Sequence, residues 1–196
     1  MAVVFMGVTV GSGVSVAGVR DRERVVGTLV AAFVRDPVLR FLFPADADYA
    51  GQAGAFFGHL FDKRVHRKAI WTVEGGASVA IWEPPGGDEP VDAEVSEISG
   101  LSADARERVR RYDDAVHAAF PSLPFWYLGV LGTHPAAAGR RLGRVVMAEG
   151  LRRAAADGLP AYLETSRPEN VEFYRRAGWE VVAEVSDPLP IWVMRQ

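Results

Sequence analysis

The chain contains no cysteine among its 196 residues. That excludes a disulfide framework, a thiolate metal site and a cysteine nucleophile, and a reducing, cytoplasmic location is the expectation. Positive charge is not in excess either: 22 Lys and Arg stand against 25 Asp and Glu, a net charge of −3. A generally basic surface for nucleic acid is therefore not expected. The four histidines, His59, His66, His117 and His134, are scattered. His59 and His66 lie at a spacing that lets them share a helix face, but no third ligand accompanies them, so no metal is expected. Long apolar runs are missing too. The uncharged stretch from Met1 to Val19 is interrupted by Gly7, Gly11, Ser12, Gly13, Ser15 and Gly18 and has no basic opening, so neither a membrane span nor a signal peptide is expected. Val8, Val10, Val14 and Val16 recur at the even spacing of a strand or strand pair. Residues 1–18 are read as an N-terminal extension, an extra strand or flexible lead-in, to a single domain over 19–196.

What is present is an ordinary globular balance, with hydrophobic residues at 49%, enough for one domain with its own core. Val25, Leu29, Ala32 and Phe33 predict a helix over 22–34, stopped at Asp36-Pro37. A short apolar helix or turn follows over 38–43, then a helix over 47–68 with Phe56, Leu60 and Phe61 facing inward. Residues 69–74 and 77–83 read as strands joined by a tight hairpin across Gly75-Gly76. Asp88, Glu89, Asp92, Glu94 and Glu97 crowd a stretch without Lys or Arg. It reads either as a solvated loop or as a negative rim for a cationic substrate. Residues 102–120 form an amphipathic helix with Val109, Tyr112, Val116 and Ala119 on one face. Strands then alternate with helices: strand 125–133, helix to Asp157, strand 161–165, helix 168–176, strands 179–185 and 191–194. The order predicts a mixed α/β fold with helices on both faces of one sheet.

Two segments carry chemistry. In the first, a strand ending at Thr133 leads through a proline and a glycine-bearing turn into a helix, with Arg140, Arg141 and Arg144 in one turn. The first N–H groups of a helix lack intrahelical partners and sit at the positive end of its dipole, so such a turn is either a pyrophosphate cradle or a plain turn with surface arginines. It is neither a P-loop nor a dinucleotide fingerprint. In the second segment, Ser166 and Glu169 have capping-box spacing. Asn170 and Tyr174 share a helix face, lining a groove or packing into the core.

Together, L-G-T-H-P-A-A-A-G-R-R-L-G (131–143) and E-N-V-E-F-Y-R-R-A-G-W (169–179) resemble the GNAT superfamily of acetyl-CoA-dependent N-acetyltransferases. Within it, A-A-F-V-R-D-P, I-W-T-V-E-G-G-A-S-V-A-I-W and P-A-Y-L-E-T-S-R-P-E-N-V-E-F-Y are similar to the puromycin N-acetyltransferase group, from about Val19 to the C-terminus. The resemblance implies a central, mostly antiparallel mixed sheet splayed around an acetyl-CoA site. It implies that the backbone of Leu131, Gly132 and Thr133 pairs with the pantetheine arm. It assigns the pyrophosphate to the N–H groups of Ala138, Gly139, Arg140, Arg141, Leu142, Gly143 and Arg144. Asn170 would contact the CoA arm and Tyr174 would sit near the thioester sulfur. Two departures stand out: the motif usually has Gln or Arg at Ala138 and Gly at Arg141, where a Cβ is strained if the turn needs positive φ.

The implied reaction is acyl transfer to a primary amine of a small molecule, an antibiotic or aminonucleoside among the candidates. A protein acceptor and a non-catalytic acyl-CoA sensor are the alternatives. Without cysteine a cysteinyl acetyl-enzyme is excluded, and direct attack in a ternary complex is expected. An alkyl amine with a pKa near 10.4 arrives protonated and needs a base. Glu164 is the first choice, ahead of Glu83 and Asp36, and Tyr174 is the candidate acid for the departing thiolate. A strand N–H near Leu131 is the expected oxyanion donor. A monomer or a homodimer is expected, with no membrane partner.

Overall fold

The structure is a computed structural model and describes residues 13–86 and 98–196. The acidic stretch 88–97, Val8 and Val10 therefore lie outside the described residues. Helices α1 (Arg22–Ala32), α2 (Pro37–Leu42) and α3 (Asp46–Val65) come first. Asp36 separates α1 from α2 by a specific device: its carboxylate accepts the N–H groups of Val38 and Leu39, and Pro37 occupies the first helical turn. α3 begins on Asp46 and Asp48 and ends on Lys63 and Arg64, charges that complement its dipole. α4 (Ala103–His117) is capped by Ser102, whose hydroxyl accepts the Ala105 N–H at 3.1 Å. α5 (Leu142–Ala156) and α6 (Pro168–Arg175) complete the helices of the described residues.

Seven strands form one sheet: β1 (Val14–Val16), β2 (Ile70–Val73), β3 (Ser78–Glu83), β4 (Trp126–Thr133), β5 (Ala161–Thr165), β6 (Glu180–Val185) and β7 (Ile191–Arg195), in the order β1-β2-β3-β4-β5-β7-β6. Val14 and Val16 place the even-spaced valines on an edge strand antiparallel to β2. The β2–β3 connection differs from the expected two-residue hairpin. Val73 pairs with Ser78, leaving a four-residue loop that coils into a single 3-10 turn. Its Gly76 carbonyl accepts a buried hydrogen bond from Thr28, which ties the loop to α1 and favours the longer turn.

Every neighbouring pair in the sheet is antiparallel except β4 and β5, which run parallel. That one pair is joined only at Trp126↔Ala161 and Tyr127↔Tyr162. Beyond Tyr127 the two strands diverge, and the sheet opens into a cleft. A helix-rich core of Leu29, Phe57, Phe61, Val79, Ile81 and Val130 lies on the side of α1–α4. A second core, built on Trp82, Trp126, Leu128, Val146 and Trp179, lies under α5 and α6. The expected helices on both faces are therefore present.

β4 crosses between the two cores. Its register against β3 steps from Ile81↔Val130 to Trp82↔Leu128, which makes Gly129 the extra residue of a β-bulge. A bulge reverses the facing of everything beyond it. Leu128 lies in the α5 core, whereas Val130 lies in the α1–α4 core.

Candidate active site

The cleft begins with the backbone of β4. His134 donates its N–H to the Ala77 carbonyl at 2.8 Å. Antiparallel alternation then turns the Gly132 N–H toward β3 and those of Leu131 and Thr133 away from it, into the gap that β5 leaves open. Leu131 and Thr133 thus turn their N–H groups into the gap. Gly132 does not; its place is fixed by packing, because a Cβ there would lie 2.7 Å from the Leu29 side chain and 2.9 Å from Phe33. It admits α1 onto the sheet.

Past β4, Pro135–Ala137 form one 3-10 turn and the chain enters α5 through the exposed residues 138–141. The expected cradle is narrower than the sequence reading. The Ala138 N–H bonds back to Pro135 and the Arg144 N–H to Arg141. The N–H groups of Gly139, Arg140, Arg141, Leu142 and Gly143 have no backbone acceptor among the described residues. Arg141 has φ +60°, a left-handed conformation that glycine adopts more cheaply, and it serves as the N-cap of α5 without a side-chain bond. The two neighbouring arginines are engaged. Arg140 pairs with Glu74 at 2.7 Å, and the Arg144 guanidinium lies over the Phe173 ring at 5.4 Å. Leu142 is buried in the α5 core.

On the far wall, Asn170 and Tyr174 of α6 line one cavity with Leu131 and Glu164. The predicted capping box of this helix does not form. Arg167 is the N-cap, and the Thr165 hydroxyl accepts the Arg167 N–H at 3.4 Å and Asn170 Nδ2 at 3.2 Å, while the Ser166 hydroxyl is buried without a partner. Pro168 opens the helix two residues after Ser166, and no side chain caps it. Tyr174 is buried, and burial, with the nearby Glu164 charge adding to it, holds its phenol far above the ordinary range.

Glu164 sits on β5 where the strands part. Its Oε1 accepts hydrogen bonds from the Tyr127 hydroxyl at 2.8 Å and the Tyr112 hydroxyl at 3.2 Å. Its Oε2 is shielded from solvent and has no partner. Burial raises the Glu164 pKa to about 7, against the lowering effect of the two phenol hydrogen bonds. The same burial and the neighbouring carboxylate push both tyrosines well above their usual value. The two weaker base candidates are occupied. Glu83 is ion-paired with Arg64 at 2.5 Å, and Asp36 caps α2. Tyr112 was expected only as a core residue of its helix. Nothing local in the sequence links it to Glu164, 52 positions away.

The cavity measures about 630 Å³, the size of a small-molecule site. No cluster of three metal-ligating side chains exists among the described residues, and no helix among them is long and apolar enough to cross a membrane. Five N–H groups at the mouth of a helix, a strand with an open edge and a cavity at its end fit a long thioester carrier with a diphosphate at one terminus.

Residues 95–179 match the acetyltransferase (GNAT) family. Among solved structures, the chain is similar to a histone acetyltransferase HPA2 and related acetyltransferase from Corynebacterium glutamicum, with 24% identity, 93% of each chain covered and a TM-score of 0.66. It is also similar to a Drosophila melanogaster polyamine N acetyltransferase, with 15% identity, 93% of this chain and 98% of that chain covered and a TM-score of 0.68. Arylalkylamine N-acetyltransferase 2 from Aedes aegypti gives 10% identity, 93% and 97% coverage and a TM-score of 0.71. At these identities the likeness is one of fold. The family match covers residues 95–179, and the fold as a whole is shared with acetyltransferases; GNAT enzymes use acetyl-CoA as cosubstrate.

Proposed function

We propose that the protein transfers an acetyl group from acetyl-CoA to the primary amine of a small molecule, by direct attack within a ternary complex. The observation that carries this reading is the free Oε2 of Glu164, buried in the same cavity as Tyr174. Acetyl-CoA, when bound, supplies an activated acetyl carbonyl. The N–H groups of Gly139–Gly143 bind its diphosphate, and the open edge of β4 at Leu131 and Thr133 orients its arm along the cleft toward Tyr174, with Asn170 beside it. Glu164 Oε2 receives the ammonium and takes a proton from it; the nitrogen then forms the C–N bond as the C–S bond breaks. A pKa of about 7 keeps a useful fraction of Glu164 ionised at neutral pH while leaving it basic enough to accept that proton. The Leu131 N–H faces the gap and stabilises developing negative charge on the acyl oxygen. Tyr174, held protonated by its surroundings, gives its proton to the departing sulfur and is reprotonated by the second proton that the nitrogen sheds as it becomes an amide.

The sequence resemblance to the puromycin N-acetyltransferase group supports an acceptor of the antibiotic or aminonucleoside kind, and two neighbours of the fold are named for amine acceptors. The test is thiol release from acetyl-CoA against a panel of amines, together with calorimetry of CoA binding. Amine-dependent release that Glu164→Gln abolishes, with CoA binding retained, supports the reading. Tight CoA binding with no release for any amine indicates an acyl-CoA sensor instead.

A further inference from the structure

The cavity around Glu164 is walled by aromatic rings from two separate parts of the chain. Phe33 at the C-terminal end of α1 and Phe56 of α3 each pack on Phe57, at 5.4 and 5.6 Å between ring centroids. Phe120 and Phe125, in the link from α4 to β4, pack on each other at 5.3 Å, and Phe120 meets Tyr127 edge-on at 5.2 Å. Phe33, Phe56, Phe120 and Phe125 line the cavity and keep part of their surface open. Open ring surface in a cavity is surface that a flat apolar ligand removes from water, with stacking or edge contacts in addition.

The cationic capacity of the same cavity is small. Among the described residues, four carboxylates line it. Asp36 already accepts two N–H groups, Glu83 is paired with Arg64, and Asp113 has a partner of its own. Of these four, Glu164 alone offers a shielded oxygen without a partner among the described residues. A second ammonium entering this space loses its water without gaining a matching charge.

Resting on the assignment of Glu164 as the group that receives the amine, we infer that the acceptor is a monoamine carried on an aromatic or comparably flat apolar body, and that polyamines are selected against. The aromatic walls hold the body, and Glu164 Oε2 holds the single ammonium.

The test compares kcat/KM for 2-phenylethylamine, ethylamine, putrescine and agmatine, with calorimetry of 2-phenylethylamine binding to the CoA-loaded enzyme as a readout independent of turnover. The expected result is a kcat/KM for 2-phenylethylamine at least about tenfold above each of the other three. A heat of binding that Glu164→Gln removes is expected with it. Putrescine or agmatine equal to or better than 2-phenylethylamine overturns the inference and leaves the acetyltransferase reading in place. Ethylamine equal to 2-phenylethylamine overturns the role of the aromatic walls. Silence from all four, with CoA bound, overturns the inference together with the reading beneath it.

Discussion

Tyr127 and Glu164 meet through a 2.8 Å hydrogen bond at the point where β4 and β5 part. Tyr127 belongs to the last residue pair that joins the two strands, and Glu164 lies two residues past its partner, Tyr162. The opening of the sheet therefore places the carboxylate, and the phenol fixes which of its oxygens stays free.

Replacing Tyr127 with Phe removes a hydrogen bond that favours the ionised carboxylate. Burial raises the Glu164 pKa most; Tyr127 from β4, Tyr112 from α4 and the residue's own backbone N–H lower it, and Asp36 at the start of α2 raises it. In Tyr127→Phe the acidic limb of the kcat/KM profile moves upward from about 7, and Tyr112→Phe moves it in the same direction. A limb that stays in place in both variants removes the pair from any role in tuning Glu164.

Stability reports the same carboxylate without catalysis. The folded pKa of about 7 lies above the ordinary carboxylate value of 4.5. Below the lower value both states are protonated and nothing is lost; between the two the folded state binds more protons, so stability falls as pH rises. Above about 7 the full penalty applies, on the order of 3 kcal/mol. Glu164→Gln, which mimics the neutral form, is expected to raise Tm at pH 8 and to leave it nearly unchanged at pH 4. Thermal melts at the two pH values check this.

Tyr174→Phe keeps the ring that packs beside Trp179 and deletes the proton donor. Turnover falls by about 100-fold while CoA binding is nearly intact. Steady-state kinetics and calorimetry on one preparation separate the two effects, and an unchanged rate takes Tyr174 out of the mechanism.

The strained cap makes a prediction of its own. Arg141→Gly relieves a φ of +60° and raises stability by up to about 1 kcal/mol, read as Tm. It also deletes an exposed cation at the mouth of the cradle, so CoA binds about three- to tenfold more weakly, an effect that added salt diminishes. Equal affinity for the two proteins means that the backbone alone grips the diphosphate.

Gly150→Ala tests the packing that supports the cleft. A Cβ at Gly150 would lie 2.0 Å from the Trp82 indole, which is fully buried. Overpacking of this kind costs about 3 kcal/mol or more, and a large drop in Tm is expected.

Much of this was legible in the chain itself. The alternation of strand and helix after residue 125 follows from hydrophobic period and from glycine and proline placement, and both are local properties. The turn into α5 was legible for the same reason, since Pro135, Gly139 and the helix that follows lie within one short segment. Glu164 could be proposed as a base because its strand carries it toward the cleft. Its partners could not, because Tyr112 and Glu164 meet only once β4, β5 and α4 have assembled. The Gly129 bulge was equally hidden: it is a property of pairing with β3, and it decides which face Tyr127 and Val130 share. The expected capping box failed at short range: Arg167, next to Pro168, became the N-cap in place of Ser166, and the Thr165 hydroxyl accepts the Arg167 N–H.

The most direct measurement is a crystal structure of the protein with CoA and 2-phenylethylamine bound together. The predicted result is a diphosphate against the amides of Gly139–Gly143, the thiol end beside Tyr174 and the amine nitrogen within hydrogen-bond distance of Glu164 Oε2. An amine seated away from Glu164, or a diphosphate elsewhere on the surface, would contradict it.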